Sequence, residues 1–268
     1  MKDKVVIITG GSSGIGKALA EKFGMEGSKL VISGRDMEKL LAVEKELQAK
    51  NIQVVSVVAD SASETDNNIL INRAYKEYGK IDVLICNAGI SMRALFADLD
   101  LDVLRKVMDI NFWGTVYACK YALPYIIQSK GSIIGVSSVA GYRGLPGRTG
   151  YSSSKFAIHG FLESLRTELL KKGVHILLAC PGFTSSNIRN TALTADGSSQ
   201  GTSPLEEGKI MTAEEVADKI YIATVHRKRD LVMTFKDKLT IFLNKHFGGF
   251  MDKMVYNHFA KEKNSPLK

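Results

Sequence analysis

The stretch "GYSSSKFAIHG" at 150–160 sets a phenol, Tyr151, and an ammonium, Lys155, four residues apart. On a helix that spacing is about one turn, so the two side chains share a face with only small serines between them. Together they could handle a proton. A phenol titrates near a pKa of about 10, and an ammonium beside it favours the phenolate and lowers that value. Taken alone, a Tyr-x-x-x-Lys pair is more often a packed tyrosine beside a solvated lysine, because the pattern fixes two common residues. The rest of the chain decides between these readings.

A second stretch could bind an anion. "TGGSSGIG" (9–16) follows the apolar run "KVVIIT" (4–9) and opens a helical pattern. Gly10 and Gly14 permit a tight turn and close backbone approach. Gly16 lets the helix sit near the sheet with its N-terminus facing a pyrophosphate. Strand, glycine turn and helix at the first junction point to a nucleotide. The spacing is Gly-x-x-x-Gly-x-Gly rather than the Gly-x-Gly-x-x-Gly of many two-domain dehydrogenases.

Apolar runs and amphipathic segments alternate along the whole chain. Strands are predicted at 4–9, 29–33, 53–59, 81–86, 132–138, 174–180 and near 231–233. Helices are predicted at 14–26, 36–50, 63–79, 101–128 with a break near Asn111, and 151–172 ending at Gly173. "TAEE" (212–215) matches a capping box, with Thr212 as N-cap of a further helix. Short strands apolar on both faces, alternating with helices, imply an α/β fold: a single-domain, Rossmann-like, doubly wound parallel sheet flanked by helices. No interdomain linker is visible. Residues 1–235 read as this domain, and 183–211, rich in Ser, Thr, Asn and Gly, as a lid over a strand's C-terminal end. Few apolar side chains in 190–208 predict a mobile segment.

The TGxxxGxG turn, "NAG" at 87–89 after the fourth strand, a serine before the helix, and YxxxK resemble the short-chain dehydrogenase/reductase family. The resemblance runs from residue 4 to about 235, with the motifs in the family's order. Ser138 precedes Tyr151 by 13 residues, Asn111 in "INFWGT" stands at the family's helix-kink asparagine, and "PG" at 181–182 matches the motif closing over the nicotinamide. Three positions depart from the pattern. Cys86 replaces the first residue of Asn-Asn-Ala-Gly, Asp60-Ser61 stands for the Asp-Val or Asp-Leu that touches adenine, and Ser186 stands for a threonine.

The resemblance implies an oxidoreductase interconverting a carbonyl and a secondary alcohol by hydride transfer. It implies that Tyr151 is the acid in reduction and the base in oxidation. Ser138 would hydrogen-bond the substrate oxygen, Lys155 would serve both Tyr151 and the cofactor ribose, and Asn111 would hold a water linking Lys155 to solvent. Cofactor contacts are expected from Gly10, Ser12, Ser13, Gly14, Ile15, Gly16, Arg35, Asp60, Ser61, Asn87, Ala88, Gly89, Tyr151, Lys155, Pro181 and Gly182. In the family alignment the acid that reads the ribose hydroxyls of NAD falls at Gly34, with Arg35 next. A guanidinium fork suits a 2′-phosphate, with Ser12 and Ser13 adding hydroxyls, so NADP(H) is favoured over NAD(H). Asp36 would take the acid's role if the strand ended later.

The segments 90–96, 140–150 and 183–211 should line the substrate cleft. Met92, Leu95, Phe96, Tyr142 and Leu145 suggest an apolar ligand, and similarity of the C-terminal half to hydroxysteroid- and lipid-type reductases points the same way. Arg93, Arg143 and Arg148 read as solvated loop arginines, a substrate carboxylate or phosphate being their other use. His159 reads as structural. Two other functions compete: an NADPH-sensing regulatory protein, which would usually have lost the Tyr–Lys pair, and a nucleotide-sugar epimerase or dehydratase, which would carry a longer substrate domain.

Composition sets the bounds. A hydrophobic fraction of 45% with 24% charged residues in 268 suits a soluble globule. No run approaches the roughly 18 apolar residues of a membrane span, and the opening apolar run is short for a signal peptide, so a cytoplasmic location is expected. Cys86, Cys119 and Cys180 are scattered and read as free thiols, with no metal site. The net charge of +8 is dispersed without an aromatic-basic motif, which argues against nucleic acid and leaves anionic cofactor, substrate or membrane surface. Residues 236–263 carry apolar positions at three- and four-residue steps with lysines around them and a bend expected at Gly248-Gly249. This tail would either pack on its own subunit or a neighbour in a homo-oligomer (dimer or tetramer), or lie on anionic lipid as a peripheral membrane contact.

Overall fold

The computed structural model describes residues 1–185, 187–202, 210–262 and 264–268. Seven strands, β1 (Val5–Thr9), β2 (Lys29–Gly34), β3 (Val54–Val58), β4 (Val83–Cys86), β5 (Ser132–Val136), β6 (His175–Cys180) and β7 (Asp230–Val232), form one sheet in the order β3-β2-β1-β4-β5-β6-β7. Every pairing is parallel. The chain winds outward from β1 to β3, then returns to place β4 on the other side of β1. The crevice at that reversal, beyond the C-terminal ends of β1 and β4, is where such sheets bind ligands.

Alternate residues of each buried strand feed opposite layers. Val6 and Ile8 join α1 (Gly14–Met25) and α2 (Met37–Ala49) in one core, whereas Ile7 packs with α3 (Glu64–Tyr78) in the other. Between α4 (Leu101–Met108) and α5 (Gly114–Ser129) the chain makes a π turn over Asp109–Trp113, the break expected near Asn111. α6 spans Thr149–Glu168, starting two residues before the predicted helix, and a 3-10 turn at Leu170–Lys172 leads into Gly173. The capping box at Thr212 and Glu215 is present at the start of α7 (Ala213–Val225). β5 stops at Val136, so Ser138 lies beyond the strand, extended, and caps a 3-10 turn at Val139–Gly141.

The tail forms α8 (Phe235–His246) and α9 (Gly248–Ala260), with the bend at Phe247 rather than at the two glycines. Met251, Val255 and Phe259 of α9 are buried together with Leu145, Leu243 and Leu267. The loop arginines are not solvated. Arg93 and Arg148 are both buried against Glu262, at 3.1 and 3.4 Å, and the Arg148 guanidinium lies 4.8 Å over the Phe259 ring. Arg143 donates to Asn244 at 2.9 Å and to Asp252 at 2.6 Å. Sequence proximity gave no hint of this, because the carboxylates come from more than a hundred residues away.

Part of the segment read as a lid is tied to the body of the protein. Leu193 donates to Ser91 O at 2.9 Å and accepts from Arg93 N at 2.7 Å, while Asp100 N donates to Ala195 O at 3.0 Å. Ala192 and Leu193 are buried, so two apolar side chains and a few backbone bonds outweigh the polar composition around them. Ser186 and residues 203–209 lie outside the described residues, so the expectation of mobility there is untested. Among the described residues no helix is long and apolar enough to cross a membrane.

Candidate active site

At the reversal of the sheet, Thr9 and Asn87 tie β1 to β4. The Thr9 hydroxyl accepts from Asn87 N at 3.0 Å and Ala88 N at 3.1 Å, and Asn87 Nδ2 donates to Thr9 O at 3.0 Å and Gly10 O at 3.2 Å. The glycines are dictated by space. Gly10 and Gly14 have φ of 67° and 51°, and a Cβ on Gly10 would stand 2.9 Å from Ala88 Cα. A Cβ on Gly16 would collide with the Gly10 carbonyl and come within 2.6 Å of Asn87 Nδ2.

The first amides of α1 receive no side-chain bond from Ser13, the N-cap residue. A cavity of about 480 Å³, lined by Gly14, Lys17, Ser185, Asn187 and Thr212 among others, opens beside them. An uncapped helix N-terminus behind a glycine turn fits the pyrophosphate of a dinucleotide. Ile15 packs at the edge of the core behind it. At the end of β2, Arg35 is exposed, and a Cβ on Gly34 would be 3.1 Å from Ser12 Oγ. Asp36 is engaged elsewhere: it caps α2, accepting from Lys39 N at 3.1 Å and pairing with Lys39 Nζ at 2.8 Å. At the end of β3, Asp60 Oδ1 accepts from Ala62 N at 3.0 Å, and Ser61 O accepts from Asn67 Nδ2 at 2.9 Å, which fixes that turn.

The four residues expected to do chemistry meet beyond β4, β5 and β6. The Ser138 hydroxyl, which accepts from Ala140 N at 3.1 Å, stands beside the Tyr151 phenol and favours its ionised form. Lys155 Nζ lies 5.7 Å from the Tyr151 ring centroid and donates to Val136 O at 3.0 Å. The expected lowering of the phenol by this lysine is not what the cofactor-free structure gives. Burial pushes the Tyr151 phenol above its ordinary value, with the Ser138 hydroxyl and the Arg148 guanidinium opposing it. Burial also brings Lys155 down to about 8. The reason is that both groups leave water together, and desolvation disfavours each charged form.

Asn111 clamps the loop after β4. Its amide donates to Ile90 O at 3.0 Å and to Ser154 Oγ at 2.9 Å, and accepts from Ile90 N at 2.8 Å. A Cβ on Gly89 would stand 3.2 Å from Asn111 Oδ1 and 3.6 Å from Lys155 Nζ, so the "NAG" loop runs directly over the lysine. Pro181 O accepts from Val139 N at 3.2 Å, joining the "PG" motif to the turn that carries Ser138.

Sequence reasoning missed two neighbours. Arg148 caps the start of α6 close enough to bias the Tyr151 phenol, and the Asp237 carboxylate of α8 would lie 2.8 Å from a Cβ on Gly182. Only the Thr234-x-x-Asp237 capping spacing could have signalled the second, and it gives no tertiary address. His159 is structural, as expected. It shares a 2.8 Å hydrogen bond with Ser137, packs 4.5 Å edge-on to Tyr142, and is driven down to about 4 by burial and by Lys155.

Comparison with known proteins agrees with this geometry. A family profile described as short chain dehydrogenase matches residues 4–196. The chain belongs to the short-chain dehydrogenase/reductase family. It is 32% identical to the mouse "Dehydrogenase/reductase SDR family member 7B" over 99% of this chain and 84% of that one. With the Dictyostelium discoideum "Dehydrogenase/reductase SDR family protein 7-like" the identity is 34%, over 95% and 81%. Its fold matches a short-chain dehydrogenase/reductase from Burkholderia phymatum in complex with NAD, with a TM-score of 0.83 at 24% identity, over 93% of this chain and 95% of that one. An alcohol dehydrogenase from Thermococcus sibiricus complexed with 5-hydroxy-NADP superposes with a TM-score of 0.77 at 20% identity, over 87% and 96%. The protein is therefore an oxidoreductase of this family with a dinucleotide-binding fold.

Proposed function

We propose that this protein is an NADP(H)-dependent enzyme interconverting a lipophilic carbonyl and its secondary alcohol. The observation that carries the reading is the placing of Ser138, Tyr151 and Lys155 together, with Lys155 Nζ 5.7 Å from the Tyr151 ring, at the sheet reversal next to a glycine turn built for a pyrophosphate. A bound nicotinamide supplies or accepts the hydride. Ser138 orients the substrate oxygen against the phenol. Tyr151, whose phenol burial holds above its ordinary value and so in the protonated form at neutral pH, donates its proton to that oxygen in reduction and takes it back in oxidation. Arg148 eases loss of the phenol proton in the oxidative direction, and Lys155 reaches the ribose. Asn111 holds the Gly89–Ile90 backbone against Lys155 and supports a water path to solvent.

Preference for NADP(H) is supported by Arg35, exposed at the mouth of β2, and by Asp36, whose carboxylate is committed to capping α2. A lipophilic substrate is supported by the surroundings of Tyr151. Its ring packs against a cluster of Met92, Leu99, Val103, Val107 and Leu193 from the substrate loop, α4 and the lid. Exposed Trp113 and Phe156 on α5's approach and α6 favour a homo-oligomer, and three buried free thiols favour the cytoplasm. The test is an NADPH-oxidation screen across steroid, retinoid, long-chain keto, acyl-thioester and sugar carbonyls, repeated with NADH. Turnover with steroid, retinoid or long-chain substrates and NADPH is expected. Reduction of sugars alone would overturn the substrate class, and cofactor binding without any turnover would favour a sensor.

A further inference from the structure

The tail is two-sided. On α9, Met251, Val255 and Phe259 face the body of the protein and are buried. Phe247, Phe250 and Met254 recur at three- and four-residue steps on a neighbouring face and are exposed, as are Phe235, Leu239 and Phe242 along one face of α8. Phe235 is 81% exposed and Phe250 61%. Single exposed apolar side chains are ordinary on a protein surface, but six large ones in 20 residues are a patch that marks a contact.

Charge is sorted in the same way. Of the tail's three acids, Asp237 turns to Thr234 and Gly182 and Glu262 is buried against Arg93 and Arg148, while Asp252 is exposed and paired with Arg143. Lys236, Lys238, Lys245, Lys253 and Lys261 turn to solvent, and none of them makes an ion pair among the described residues. The outer surface of the tail is thus apolar and, apart from Asp252 paired with Arg143, cationic.

We propose that α8 and α9 form a docking surface on which the protein lies, without spanning, on an anionic lipid bilayer. Aromatic and aliphatic side chains would enter the boundary between headgroups and acyl chains while the lysines engage the anionic headgroups. A second copy of the chain is the poorer occupant. Lysine is depleted at the centre of protein interfaces, and two like-charged copies of this surface would repel. The surface borders the catalytic domain directly: α8 contacts Gly182 through Asp237, and the residues after α9 reach Gly147 through Pro266. This inference concerns attachment and does not depend on the identity of the substrate.

The experiment is flotation of the purified full chain with vesicles of phosphatidylcholine alone and of equal parts phosphatidylcholine and phosphatidylserine, at low and high salt. Two variants accompany it, Lys238→Glu/Lys245→Glu/Lys253→Glu and Phe242→Ser/Phe250→Ser, with circular dichroism and thermal melts verifying that each is folded. The wild type should bind the anionic vesicles only, and less as salt rises. Each lysine near the surface is worth about fivefold in affinity, so the triple reversal should weaken binding by at least about a hundredfold. The double serine variant should lose roughly tenfold or more. No binding by the wild type, or binding unchanged in both folded variants, would overturn the proposal. So would a wild-type oligomer, seen by sedimentation, that the variants dissociate without any vesicle binding.

Discussion

Burying the Lys155 ammonium destabilises the fold that needs it. Its folded value of about 8 lies below the ordinary 10.5, so between these values the unfolded chain binds more protons. Stability therefore rises with pH across that window and has lost this contribution once pH falls below about 8. The span corresponds to about 3 kcal/mol. Lys155→Met should consequently gain on the wild type most at neutral pH, and the gain should shrink between pH 8 and 10 in urea unfolding of the cofactor-free protein. A difference that stays constant with pH would mean that the lysine is not desolvated. Arg35 makes a second case at this scale. Arg35→Asp should shift preference from NADPH towards NADH by at least about tenfold, since a charge-assisted contact contributes about 1.5–3 kcal/mol. Dissociation constants for both cofactors decide it. Tyr151, Lys155, Ser138 and Asn111 could be singled out in the sequence through the family resemblance, and the structure brings them together beyond β4, β5 and β6. The direction in which the phenol shifts was not legible there, because burial is a property of the assembled site.

Among the elements, the glycine turn is the most constrained. Gly16→Ala would drive a methyl group into the Gly10 carbonyl and the Asn87 amide, disturbing the link between β1 and β4. Cofactor affinity and melting temperature should fall together. An alanine variant with wild-type values for both would show that the turn has slack the structure denies it. Strand positions were readable to within one or two residues, since runs such as "KVVIIT" bury both faces in a parallel sheet. The lid's anchoring contacts were not legible in its composition, for a physical reason. Composition counts side chains, whereas Leu193 is held by backbone bonds to Ser91 and Arg93, supplied by a loop a hundred residues earlier.

At the scale of the whole molecule, Glu262 joins the tail to the catalytic domain by entering a buried site with Arg93 and Arg148. Removing one member of a buried ion pair typically costs about 3–5 kcal/mol. Glu262→Gln should approach that loss in urea unfolding, and its effect should not add to that of Arg148→Met in a double-mutant cycle. Full additivity would separate the tail from the arginines. The sequence revealed the amphipathic character of 236–263 but not which of its faces docks. That choice is made by long-range partners, Leu145 and the three arginines, which local periodicity cannot identify.

The central claim is that the Tyr151 hydroxyl, and not only the dinucleotide fold, performs the reaction. Tyr151→Phe removes that hydroxyl and leaves the ring, the Lys155 ammonium and the glycine turn in place. Turnover and the cofactor dissociation constant should be measured on the same preparation with a substrate taken from the carbonyl screen. Turnover should be abolished while the cofactor binds nearly as tightly as to the wild type. Wild-type turnover in the phenylalanine variant would contradict it.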